Sequence, residues 1–184
     1  MRVRWILLLH ATATAWRHTA APTALRRRHL AGGALASFLA VQQARAVEPK
    51  AGKLPPKELA KRVERDLVEN QFLATANFDR TLYDESCKFQ DEIDTYDLDK
   101  FIKGTSKLFV KDRSHVDLTS PVTASDASVE FSFKEDLCFN IPFKPTVFVS
   151  GKVVLTRDPS TGLFVKYREY WDQSPNDVLK TAKF

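Results

Sequence analysis

The sequence predicts an α+β fold with its helices first. Two observations carry this. Between residues 57 and 76 the apolar positions Leu59, Val63 and Leu67 recur every four residues, the spacing that lines one face of a helix. After Lys111 the period falls to two, the spacing of a strand with one buried face. A helical pattern followed by an antiparallel meander is the α+β arrangement.

The elements follow in order. Residues 47–56, rich in Lys, Pro and Gly, read as a linker. Pro55-Pro56 opens the first helix, whose apolar stripe is widened by Ala60, Val68 and Phe72 and whose opposite face carries Lys57, Lys61, Arg65 and Glu69. It is predicted to run to about Ala76. Phe78 to Tyr83 reads as a helical turn, and Cys87 to Asp91 as a short strand. Asp97 is the predicted N-cap of a second helix with Leu98, Phe101, Ile102, Leu108 and Phe109 on its apolar side. Val116 and Leu118 then alternate with His115, Asp117 and Thr119, and Val129, Phe131 and Phe133 with Ser128, Glu130, Ser132 and Lys134. Thr146 to Thr156 places Val147, Val149, Val153 and Leu155 on one face. Asp158 to Gly162 is a turn. Leu163 to Trp171 is the last strand, and Ser174-Pro175 caps a terminal helix.

Charge divides the chain in two. Of 184 residues, 28 are Lys or Arg and 23 are Asp or Glu, a formal charge of +5. Residues 1–46 hold seven Arg and no acid, and with those arginines set aside 21 basic residues face 23 acidic ones. Acid-free and Arg-bearing composition marks a targeting segment. Residues 1–15 join Arg2 and Arg4 to an apolar run and the small residues Ala13-Thr14-Ala15, a secretory signal pattern. Residues 16–25 are small and hydroxylated, like a transit peptide. Residues 26–46 contain Arg27-Arg28, an uncharged run from Leu30 to Val41, and a second A-x-A site at Ala44 and Ala46. Twin Arg before a short apolar run is the twin-arginine address. The run is shorter than the roughly 20 residues that span a bilayer, so no transmembrane helix is expected in the mature chain. The leader resembles the tripartite presequence of thylakoid-lumen proteins in algae with complex plastids. That implies a plastid, thylakoid-lumen protein; a single twin-arginine signal into a bacterial-type periplasm is the alternative. Either compartment permits a disulfide between Cys87 and Cys138, with two buried free thiols as the other outcome.

The run Tyr83-x3-Cys87-x-Phe89-x-Asp91, the helix around Leu98-Asp99-Lys100-Phe101 and the strand end Arg168-Glu169-Tyr170-Trp171-Asp172 resemble the SnoaL-like group of the nuclear transport factor 2-like superfamily, in particular its plastid-type members. The resemblance spans roughly residues 57–182 and extends the domain to 57–184. It implies a cone: a curved antiparallel sheet wrapped on a long first helix, with a pocket at the wide end. It also implies isomerase, cyclase or dehydratase activity or a non-catalytic binding role, and homodimers formed through the sheet.

The chemistry legible in the residues is sparse. After residue 46 the only His is His115, which excludes a multi-His metal site, and no metal or cofactor is expected. The acidic residues from Asp84 to Asp99 lack calcium-loop spacing and read as a solvated helix entry. Asp91 is the exception, placed by the family-like motif at the pocket mouth. On the last strand Leu163, Val165, Tyr167, Glu169 and Trp171 share one face. A Glu desolvated between Tyr167 and Trp171 has its pKa raised, as a general acid or base requires; an ion pair with Arg80 or Arg113 is the competing reading. Tyr83 and Tyr96 are candidate hydroxyl donors in the pocket. A nucleic-acid partner is excluded once the leader is set aside. Three functions follow. One is a non-catalytic lumenal domain that binds a small apolar ligand or docks on a photosynthetic membrane complex. Another is an isomerase, dehydratase or cyclase using Glu169 and Asp91 on a hydrophobic substrate. The last is a photosystem accessory subunit or assembly factor, for which Phe148, Phe164 and Tyr170 on the outer sheet face are the candidate contacts.

Overall fold

A computed structural model describes residues 49–184. The targeting expectations at Arg27, Arg28, Ala44 and Ala46, and the boundaries within residues 1–46, lie outside them. Helix α1 is Pro56–Val68 and the single turn α2 is Phe72–Thr75. Strands β1 (Tyr83–Gln90) and β2 (Thr95–Asp97) lead into α3 (Leu98–Leu108). Then come β3 (His115–Leu118), β4 (Thr123–Ala124), β5 (Ser128–Cys138), β6 (Thr146–Arg157), β7 (Phe164–Trp171) and α4 (Pro175–Lys180). The strands form one curved, unclosed sheet in the order β2-β1-β7-β6-β5-β3, with β4 on β5. This is the predicted α+β fold, with one pair that differs from the antiparallel expectation: β1 and β7 run parallel. The connection through α3 carries the chain from one sheet edge to the other. β2 and β3 therefore point the same way, and the meander that returns from β3 meets β1 in parallel.

The first helix ends earlier than its apolar stripe suggests. Gln71 takes a left-handed φ of 53°. Its Nε2 donates to the carbonyls of Leu67, Val68 and Val116, each at 3.1 Å, and its Oε1 accepts from the Val116 amide at 2.6 Å. One side chain thus closes the helix and ties it to β3. Leu59, Val63 and Leu67 still face the sheet as the period requires. Asp97 caps α3, accepting from the Lys100 amide at 2.7 Å.

The inner face of the sheet is built from Val129, Phe131 and Phe133 of β5 with Val147, Val149, Val153 and Leu155 of β6, all buried. Aromatic rings fill the space under the helices. Phe89 stacks on Phe101 at 4.1 Å and on Tyr167 at 5.0 Å between ring centres.

One expectation about the strands and one about the start of the domain are corrected, and one left open is decided. Phe164 is fully buried, not on the outer face, because a register irregularity at the start of β7 turns it inward against Tyr83. Cys87 and Cys138 are buried free thiols. β7 and β6 lie between their strands, so along the sheet they stand roughly 14 Å apart, twice the reach of a disulfide. Residues 49–55 pack on the domain instead of linking to it. The Ala51 amide bonds the Thr81 carbonyl at 3.0 Å, and Lys50 pairs with Glu85 at 2.5 Å.

Arg157 locks that segment in place. It is 6% exposed and has no carboxylate partner among the described residues. Its Nε donates to the Gly162 carbonyl at 3.0 Å, and its two terminal nitrogens to Ser125 and Leu54 at 3.1 Å each. Three loops are pinned by one guanidinium. Arg157→Met should lower stability by about 3 kcal/mol, since it leaves three carbonyls without their charged donor. A urea midpoint that moves by less than about 1 kcal/mol would show those carbonyls finding other partners.

Candidate functional site

Three strands bring the site together from residues far apart in sequence. On β7, Tyr167, Glu169 and Trp171 alternate inward as predicted. Glu169 pairs in register with Val153 of β6, while Glu135 of β5 pairs with Val149. Gly151 lies between those two valines on the inner face of β6.

Glu169 has neutral partners only. Tyr167 donates its hydroxyl to Oε2 at 2.5 Å and the Trp171 indole N–H donates to Oε1. Neither Arg80 nor Arg113 reaches it; Arg80 is paired with Glu85 and Asp99 instead. Burial pushes the Glu169 carboxyl up to about 7, and the nearby Asp91 charge adds to that push, against the two hydrogen bonds and the Arg168 charge that lower it.

Glu135 is the residue that the sequence reading passed over. It is 4% exposed, and its Oε1 is buried without a hydrogen-bond partner, the only such side-chain atom among the described residues. Burial comes first in driving its pKa well above the usual carboxylate range, followed by the charges of Glu169 and Asp91. The signal was present: the inward series Val129, Phe131, Phe133 continues by the same period to residue 135.

Asp91 lies near this pair but has a job of its own. Its Oδ1 accepts from the amides of Ile93 at 2.7 Å and Asp94 at 2.8 Å, which folds the turn between β1 and β2. Its carbonyl takes a 2.6 Å bond from Arg168, which also pairs with Glu92 at 2.7 Å. Burial raises the Asp91 pKa. It shapes the field at Glu169 from a fixed position. Tyr96, opposite Phe89 on β2, is partly buried beside Asp91 and Glu169, and its hydroxyl pKa is raised, chiefly by burial. Tyr83 is elsewhere: it is 2% exposed in the aromatic core, 4.8 Å from Phe78.

The arrangement pairs one carboxyl held neutral by its surroundings with another poised to exchange a proton near neutral pH. Two hollows of about 350 Å³ each open on the surface, one over the β1–β2 turn and one beside Lys53 and Arg157; neither is lined by Glu135 or Glu169. Phe101 of α3, stacked on Phe89, packs against the core beside Tyr167. No three metal-ligating side chains converge among the described residues, and no described helix is long and apolar enough to cross a membrane.

No family model and no curated protein sequence matches the chain. Solved structures do. An LEH-like epoxide hydrolase from M. tuberculosis matches at 16% identity and a TM-score of 0.49, over 68% of this chain and 92% of that one. A protein proposed to be a SnoaL-like polyketide cyclase, from Jannaschia, matches at 15% and 0.49, over 64% and 87%. A nuclear transport factor 2-like superfamily protein from Salmonella enterica matches at 15% and 0.47, over 65% and 92%. The likeness is one of fold. At these identities it carries no assignment of activity.

Proposed function

We propose that this protein is an acid–base catalyst of isomerase, dehydratase or cyclase type acting on a small hydrophobic substrate. Glu169 is the proton-transfer group. Glu135, kept neutral, donates a hydrogen bond to the oxygen on which charge develops. The observation that carries this is the buried Glu135 oxygen that no protein group satisfies, facing a second carboxyl held only by Tyr167 and Trp171. An unsatisfied buried carboxyl destabilises a fold, and a substrate hydrogen bond gives it a use. Entry requires Phe101 to yield. α3 is the element suited to that, because Leu98 is its one buried residue.

The test is deuterium uptake from heavy water into a panel of hydrophobic ketones, followed by mass spectrometry. The native chain should label at least one member. Glu169→Gln should lower that rate by about 10²–10⁴ while the fold, read by circular dichroism, is retained. Labelling that survives the substitution removes Glu169 from the role, and a chain that labels nothing withdraws support from the reading.

A second reading has its own support. The aromatic stack fills the interior, and neither surface hollow reaches the carboxyls. That favours a non-catalytic domain, and the resemblance of residues 1–46 to a thylakoid-lumen leader directs it to docking on a photosynthetic membrane complex in the lumen. Co-purification of the native chain with a photosystem supports it, and recovery from a stromal or cytosolic fraction counts against the lumenal address.

A further inference from the structure

Among the described residues one pair of non-glycine neighbours is left-handed. In the loop joining β5 to β6, Phe143 and Lys144 both take left-handed conformations, with φ of 68° and 42°. Consecutive non-glycine residues there are unfavourable, and such strain persists where something else selects the shape. A turn accounts for the first of them: Pro142 and Phe143 hold its second and third places, and a type II turn requires a positive φ at the third. Lys144 donates its amide to the Ile141 carbonyl at 3.0 Å, and the Phe143 side chain points away from the protein, 82% exposed. The base of the loop is firm: Phe139 packs on Phe109 at 5.4 Å between ring centres. The turn projects one aromatic ring from a rigid base.

Backbone bonds gather lysines from three parts of the chain at the end of the sheet that carries this loop. The Asn140 amide bonds the Leu108 carbonyl at 2.8 Å and its side chain the Lys107 carbonyl at 3.4 Å. The Val110 amide bonds the Cys138 carbonyl at 2.8 Å, which brings Lys111 to the same end. Thr146 and Lys183 exchange two backbone bonds at 2.8 and 2.9 Å. Lys107, Lys111, Lys144 and Lys183 are all exposed. None of the four forms an ion pair among the described residues, whereas Lys180 is paired with Asp177. Asp112 and Asp136 are the acids interspersed with them, and Arg113 adds to the positive side.

We propose that this loop docks on an anionic lipid bilayer, with Phe143 entering between headgroups and the four lysines meeting their phosphates. Lys183 rests its ammonium 4.5 Å from the centre of the Phe148 ring, and a projecting aromatic at this lysine-rich end of the domain matches that surface, where headgroups yield around a single side chain and negative charge attracts the exposed lysines. Phe184, 89% exposed, follows Lys183; a protein partner would call for a broader apolar patch than two separate rings. Acidity of the domain as a whole is no obstacle, because screening limits the contact to charges within about 10 Å.

The experiment uses the full chain carrying Phe143→Trp, with emission read in excess of the native chain. Vesicles of phosphatidylcholine alone are compared with vesicles containing phosphatidylglycerol, each with bromine-labelled acyl chains. With the anionic vesicles the excess emission should shift to the blue and be quenched, and the effect should fade as salt rises from about 0.1 M to about 0.5 M. Adding Lys144→Glu and Lys183→Glu should weaken the apparent affinity at least twentyfold, from roughly fivefold per lysine lost. Emission unmoved by anionic vesicles overturns the proposal even where the chain sediments with them, because residues 1–48 then hold it there. An equal response to phosphatidylcholine alone, or one indifferent to the lysine reversals, overturns it as well.

Discussion

Glu135→Met should make the protein more stable at pH 8, by about 2 kcal/mol, because an apolar side chain of similar size replaces a carboxyl with an unmet buried oxygen. At pH 5 the gain should shrink, since the unfolded carboxyl, with an ordinary value of 4.5, is then part-protonated and favours unfolding less than at pH 8. The native protein should itself lose stability across that interval. Glu169 and Glu135 have higher pKa values folded than unfolded, so the folded chain keeps protons that the unfolded chain releases. The stability that they contribute is complete below the ordinary value of 4.5 and is lost as pH rises through about 7 for Glu169, and higher for Glu135. For Glu169 alone the loss is about 2–3 kcal/mol. The carboxyls that run the other way, such as Glu85 at about 2 beside Arg80 and Lys50, have completed their contribution below that window. Urea unfolding of native and Glu135→Met chains at both pH values measures this. A native chain equally stable at pH 5 and pH 8, or a variant weakened at pH 8, refutes the account. The same substitution should abolish turnover if Glu135 is the hydrogen-bond donor, a site in which stability is given up for function.

Gly151→Ala should be among the most damaging single changes in the chain, at about 3 kcal/mol or more. A Cβ at Gly151 would sit 2.1 Å from the Tyr170 carbonyl oxygen and 3.2 Å from the Trp171 Cα. Both are backbone atoms of β7, so no rotamer relieves the clash and the strands must part. Parting them moves Trp171, and with it one of the two donors on Glu169. The measurement is the urea midpoint together with Trp fluorescence. A loss under about 1 kcal/mol would show that β6 and β7 separate there without strain. Gly104→Ala is the matched control. A Cβ there meets nothing within 4 Å, so it should stabilise α3 by up to about 1 kcal/mol.

Much of this molecule was legible from local pattern. The four-residue stripe of α1, the Asp97 and Ser174 caps and the turn from Asp158 to Gly162 each depend on neighbours within one turn of chain. In that last turn, Asp158 accepts from the amides of Ser160 and Thr161 at 2.8 Å, as its residue types predict. Period-two alternation also put Tyr167, Glu169 and Trp171 on the inner face of β7, and it would have delivered Glu135 had the β5 series been carried one step further.

What the sequence left undetermined has a common cause: it rests on pairings between distant segments. Nothing local tells Gln71 to break a helix, because its bonds to Val116 exist only once β3 lies alongside. The inward turn of Phe164 follows from a slip against β6, and the parallel β1–β7 pair from where α3 carries the chain. The Cys87–Cys138 pairing was open until the sheet order set two strands between them. The charge balance, too, took on a local meaning only in three dimensions. Composition gives a slightly acidic domain, yet backbone bonds gather Lys107, Lys111, Lys144 and Lys183 at the end of the sheet that carries Phe143. Sequence determines which residues face inward along each strand, because side-chain direction is a property of the backbone a few bonds away. Which carboxyls then confront one another is decided by strand register, and register is set by the whole sheet.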